Sequence, residues 1–275
     1  YDSIRTDFEY GTYLSDSVRY HIGGFVRQGE GPRETGYTSN KGGQIKANLT
    51  KEFDTGYVRV YFKHLDDKSV GYLPMPMYSN GDSIPGFDAQ SDTPHSALFT
   101  QTLRLNGDNQ ISTGDMTDGM NPVVTSVGFE AAFDLENDWR IENRFRTSSV
   151  SGNFISLIPA EVASASSIAS SIAGDGASLV YANGGSAGEA YGDDDLAMRI
   201  HTFDVTLNDM GSIVNDLKLT KSFSDDTSVT FGYFASSQSI DMSWLWNSYV
   251  MELKGDNAAL LDVYAANGDS YSDNG

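Results

Sequence analysis

The chain has no cysteine, which excludes a disulfide framework and thiolate-held metal sites. No run of 18 apolar residues occurs, so no segment reads as a membrane-spanning helix. Bases are scarce: 18 Lys and Arg stand against 38 Asp and Glu, a formal charge of −20. Such a charge repels phosphate backbones, so nucleic acid is not an expected partner. Proline is sparse, 7 in 275 residues. The patterns that carry catalysis are also missing. There is no G-x-S-x-G elbow, no H-E-x-x-H spacing and no glycine-rich phosphate loop leading into a helix. His21, His64, His95 and His201 are scattered, and "GDDD" at 192–195 lacks the D-x-D-x-D-G spacing of a calcium loop. Catalytic residues, a cofactor and a metal site are therefore not expected.

What is abundant points to β-structure. Glycine (28), tyrosine (15) and phenylalanine (14) are plentiful, and apolar residues recur in short alternating runs. Four segments share one form: "YLSDSVRYHIGGF", "EFDTGYVRVYF", "DLENDWRIENRF" and "SFSDDTSVTFGYF". Each has a turn rich in Asp, Asn, Ser or Gly, near Asp16, Asp54, Asn137 and Asp225, followed by a new alternating run. Eight strands follow, at about 3–12, 18–27, 43–52, 57–65, 125–133, 139–147, 213–223 and 228–238.

Side chains alternate between the faces of a strand. One face collects Ile45, Leu49, Val60, Phe62, Phe129 and Phe145; the other collects Arg19, Lys46, Arg59, Lys63, Arg140 and Arg144. The short turns alternate with long connections at 28–42, 66–124, 148–212 and 239–275. A soluble sandwich explains the alternation but not that asymmetry, whereas short turns on one side and long loops on the other are expected of an outer-membrane barrel. The expected fold is therefore all-β: an antiparallel transmembrane barrel, of which this chain supplies about eight strands within one barrel domain. The chain starts inside an alternating run and stops in a polar stretch, so it reads as part of a longer protein.

Several stretches, "GGFVR", "RETGYTSNKGGQIKANLTK", "GYVRVYFKHLDDK" and "YLPMPM", stand in an order that resembles the early barrel strands of TonB-dependent outer-membrane receptors. "HTFDVTLNDMGSIVNDLKLTKSF" (His201 to Phe223) looks like a later strand of the same group. The resemblance implies a barrel of about 22 strands, a plug domain and a TonB complex lying outside this sequence, and location in the outer membrane of a Gram-negative bacterium. It implies active import of siderophore-bound iron, cobalamin or an oligosaccharide, with lipid around the wall. A passive porin and a soluble β-rich adhesin or carbohydrate-binding module are the alternatives.

Ligand contacts are expected from Arg33 and Tyr37 in the first connection and from Tyr72 in "YLPMPMY", whose prolines forbid a central strand. Trp244 and Trp246 in "MSWLWNSY", read as a loop, offer rings for stacking. The wall residues Arg19, Lys46, Arg59, Lys63, Arg140 and Arg144 would line the lumen. "FISLIPAEVASASSIASSIAG" (Phe154 to Gly174) reads as a short helix in an outer loop. The acid runs Asp66–Asp67, Asp193–Asp195 and Asp225–Asp226 read as solvated loop residues.

Overall fold

Each Asp- or Asn-rich turn closes a hairpin in the computed structural model, which describes residues 2–275. Residues 16–17 join β1 (Ser3–Ser15) to β2 (Val18–Gly29), and residues 54–55 join β3 (Asn40–Phe53) to β4 (Gly56–Lys68). The short pair β5 (Gln101–Leu105) and β6 (Ile111–Asp115) leads through a 3-10 turn to β7 (Met120–Leu135). Residues 136–138 then join β7 to β8 (Trp139–Ser164). Asn137 and Asp138 take φ of 56° and 57° there, left-handed values that short polar side chains tolerate. After β8 come α1 (Ala165–Ala173), β9 (Ser178–Tyr181) and β10 (Leu196–Asp209). Residues 225–226 join β11 (Ser212–Ser224) to β12 (Thr227–Gln238), and β13 (Asp241–Glu252) and β14 (Leu261–Tyr264) follow.

The main sheet is antiparallel, with β1, β2, β3, β4, β7 and β8 side by side. β8 carries two strands end to end: β11 along its first half and β10 along its second. Leu207 opposes Gly152 and Ser212 opposes Ser148, so the four residues 208–211 face the three residues 149–151. β10 and β11 are thus one path interrupted by a bulge. β12 and β13 continue each other in the same way along β11 and β10. The ten strands of this sheet trace an eight-lane meander in chain order. Its margins, β1 on one side and β12 with β13 on the other, each pair with a single neighbour, and no closed barrel forms among the described residues.

The eight lanes follow the eight alternating runs, but three of the expected connections are shorter than the sequence reading gave. The connection at 148–212 is strand as far as Ser164 and strand again from Leu196, and β13 interrupts the one at 239–275. Asp66 and Asp67 lie inside β4 rather than in a loop. The expected helix at 154–174 is a strand through Ser164 and a helix only from Ala165. The reason lies in packing. Residues around Ile155 to Leu157 are buried on both faces, so the polar–apolar alternation that marks a half-buried strand is missing there. Ser164 caps α1 by accepting from the Ser167 amide, and Ala165, Ile168 and Ala169 bury its inner face.

Two kinds of packing coexist in the molecule. Above the bulge, β8, β10 and β13 form the spine of a head with a core on each side. One core joins Ile155, Leu157, Ile200 and Met251 to Phe87, Phe99 and Met116 from the connection between β4 and β7. The other joins Ala197 and Val250 to α1, Leu179, Leu261 and Val263. Below the bulge the wall is a single layer. Its apolar side chains, among them Leu49, Val60, Phe62, Val127, Phe129 and Phe231, remain exposed, and no second layer covers them.

Candidate functional site

The wall curls around its polar face, which encloses a trough of about 1280 Å³ lined from β1 across to β12. One cross-strand row shows how the sequence builds it: Arg19, Thr50, Arg59, Glu130, Arg144 and Asp216 oppose one another in turn on six strands. Neighbours in a row stand close enough to interact directly. Arg19 pairs with Glu52, and Arg59 donates to Thr50 Oγ1 at 2.8 Å. Glu130 accepts from the Tyr57 and Tyr61 hydroxyls and lies 3.5 Å from Arg144. Arg140 holds Asp134 at 2.7 Å and Glu142 at 3.3 Å. Lys46 and Lys63 face each other directly. The six wall residues singled out from the sequence thus share one face of one sheet, and their charges are largely arranged in pairs.

The opposite face carries a band of apolar residues. Along β3 it runs from Ile45 to Phe53, eight residue steps, or about 27 Å at ~3.4 Å each. Strand tilt in a barrel would reduce that to about 20 Å, close to the apolar height of an outer-membrane barrel. At the turn end the band finishes in aromatic rings: Phe53 packs on Phe133 at 5.6 Å, with Trp139, Phe223 and Phe231 nearby along the same edge. Lys51 and Lys221 also stand at this end and bend away, Lys51 to Ser17 and Lys221 to the Asn137 carbonyl. Such bending keeps a charge wet while its stem covers apolar surface.

Arg33, Tyr37 and Tyr72, far apart in sequence, come together around a residue that sequence reading left as a scattered histidine. The Tyr37 hydroxyl lies 3.1 Å from His95 Nδ1, and the Tyr72 ring stands edge-on to His95 at 6.2 Å. Arg33 lies over Tyr72, 5.6 Å from the ring centre, and donates to the carbonyls of Asp92 and of Ala89, the latter at 3.1 Å. Its donors therefore fasten the first connection onto the second. In "YLPMPMY", Met75 packs on the Phe87 core while Met77 is exposed.

His95 is only 2 % exposed, and burial holds its pKa down to about 4. Burial also raises the Tyr37 and Tyr72 phenols. His95 is thus neutral in the fold and takes up a proton more readily when unfolded. Its contribution to stability is complete above about 6.5 and is lost as pH falls to about 4, amounting to about 3 kcal/mol over that window. Hydrogen-exchange protection of residues 84–99 is expected to fall across this window and to fall less in His95→Gln. Equal pH profiles for the two proteins would refute the assignment.

Trp244 and Trp246 lie on β13 and not in a loop, because β13 pairs with β10 throughout. Their rings stack at 6.3 Å with 16° between planes and are 53 % and 52 % exposed. Phe203 meets them edge-on at 4.9 and 5.3 Å and touches Phe154 at 4.8 Å. The β7–β8 register has no slip between Leu135 and Met120, so counting by twos from Arg144 along β8 reaches Phe154. The aromatic platform therefore stands on the trough's side of the sheet. Flat apolar faces of a sugar or an aromatic ligand fit such a surface.

A buried ion pair that the sequence reading passed over lies in the head. Arg104 on β5 pairs with Asp204, whose side chain is 6 % exposed. The signal was present: Asp204 is a lone acid in the alternating run "HTFDVTL". Among the described residues no three His, Asp or Glu side chains gather as a metal site, and no helix is long and apolar enough to cross a membrane. No known protein family, curated protein or solved structure matches the chain.

Proposed function

We propose that the wall is a sector of a transmembrane β-barrel in a bacterial outer membrane and that the protein imports a scarce nutrient through it. One observation carries this reading. The chain buries apolar side chains on both sides of its head, yet leaves a continuous apolar band bare on the outside of a sheet that curls around charges. A soluble sheet that curls does the reverse, because burial of apolar surface drives its folding. Lipid resolves the inversion: the band meets acyl chains and the paired charges meet water. Every backbone group between wall strands is bonded to a neighbouring strand, as a bilayer requires. The free margins of β1 and β12 would pair with further strands to close the ring.

The resemblance to TonB-dependent receptors supports active rather than passive passage, with siderophore-bound iron, cobalamin or an oligosaccharide as cargo. In that scheme the head captures the ligand, a plug domain blocks the trough, and a TonB complex supplies energy. Deleting the protein is expected to abolish uptake of one of these nutrients, and a protonophore is expected to abolish the same uptake in the parent strain. Uptake that survives the protonophore would point to a passive porin. Folded monomer recovered without detergent would point to a soluble module and overturn the barrel.

A further inference from the structure

We propose that the trough contains a binding site for a small polyanion, formed by Lys46, Lys63 and Arg146. Lys46 and Lys63 are direct cross-strand partners on the trough side. Like charges in that position destabilise a strand pair. Neighbouring cations of the wall are relieved by acids: Arg19 by Glu52, Arg140 by Asp134 and Arg144 by Glu130. Lys46, Lys63 and Arg146 have no carboxylate within ion-pair distance among the described residues. In a chain with 38 acids and 18 bases, three uncompensated cations on one concave surface are a local departure that a bound anion would complete.

The register supplies the space for it. Lys63 opposes Ser126, Ser126 opposes Ser148, and Arg146 opposes Gly128. Arg146 therefore stands two strands from Lys63 and one alternation along, about 10 Å across and about 7 Å lengthwise. Between them the floor is glycine and serine, with the Ser126 and Ser148 hydroxyls bonded to each other at 2.8 Å. Small residues leave the volume above them open, and long cationic side chains reach over it from both sides. Two lysines act as adaptable point charges, while Arg146 offers a planar fork that suits a carboxylate or phosphate. The ligand chemistry is therefore two or more carboxylate or phosphate groups on one small molecule.

This extends the import reading by giving the cargo a charge; it rests on the trough and not on the membrane location, so binding is measured apart from uptake. The full chain folded in detergent would be titrated calorimetrically with pyrophosphate, with benzene-1,3,5-tricarboxylate and with neutral maltotriose. Binding of at least one anion, weakening as salt is raised, and none of maltotriose is expected. Lys46→Gln/Lys63→Gln is expected to weaken binding at least tenfold, Arg146→Gln similarly, and Arg146→Lys less. Lys41→Gln, at an exposed strand end away from the trough, should leave the affinity unchanged. Circular dichroism would confirm that each variant folds. Absence of anion binding, equal affinity in Lys46→Gln/Lys63→Gln, or an equal loss in Lys41→Gln would overturn the site. Selectivity between the two anions would show which head group is preferred.

Discussion

Arginine placed at both Val60 and Phe129 is expected to stop the wall from inserting into lipid. The two residues are direct partners across β4 and β7, in the middle of the apolar band, with Leu49 beside Val60 and Phe145 beside Phe129. They are 50 % and 36 % exposed, so neither change opens a cavity or crowds a neighbour. In water the double variant would therefore cost little. Against lipid, each arginine near the bilayer midplane costs about 2–4 kcal/mol. Together they approach the whole stability of a typical fold, about 5–15 kcal/mol. Gln44→Arg lies on the trough face and serves as a control with the same added charge. Folding into liposomes, followed by protease protection and heat-dependent gel mobility, is expected to fail for Val60→Arg/Phe129→Arg and to succeed for Gln44→Arg. Equal yields for both would remove lipid as the explanation of the band.

Arg104→Met is expected to destabilise the head by about 3–5 kcal/mol at neutral pH, because it leaves the Asp204 carboxylate buried without a counter-charge. The surroundings offer little relief. Gly114 packs so tightly on the pair that a Cβ there would lie 2.8 Å from Asp204 Oδ2, and the Thr102 hydroxyl nearby is buried with no hydrogen-bond partner. The β5–β6 hairpin depends on this contact together with the bonds of Asn247 and Tyr249 to Leu103. The orphaned acid regains part of the loss by protonating, so the penalty eases as pH falls. Replacing both partners by apolar residues, Arg104→Met/Asp204→Leu, removes the buried charge and is expected to recover most of the stability. Protease cleavage within residues 101–115 and the urea midpoint would report both effects. A double variant no better than Arg104→Met would mean that the pair is held by shape and not by charge.

The eight lanes were legible because the wall is half-buried in the plainest sense, with one side chain in two apolar. The turns at 16–17, 54–55, 136–138 and 225–226 were legible because Asp and Asn tolerate the dihedrals they need. Along β8 beyond Val150 the alternation fades, since Ile155, Ser156 and Leu157 are all buried, and local reading could not tell strand from helix there. Trp244 and Trp246 were legible as exposed rings but not as strand residues. Their strand depends on β10, some forty residues earlier in the chain, and local propensity cannot report such a pairing.

The sequence by itself determined the two-faced wall. Alternation assigns each side chain to a face, so the basic row and the apolar band follow from chain order once the turns are known. It also determined the acidic surface and the absence of thiol chemistry. Only the tertiary structure decided which face is concave, because curling is a property of many strands together. Tertiary packing also gathered Arg33, Tyr37 and Tyr72 around His95, and set Arg104 on Asp204 across 100 residues. These meetings join segments separated by long connections, and no local preference encodes them. They arise where the connections fold back on β8, β10 and β13 to bury the apolar surface of the head.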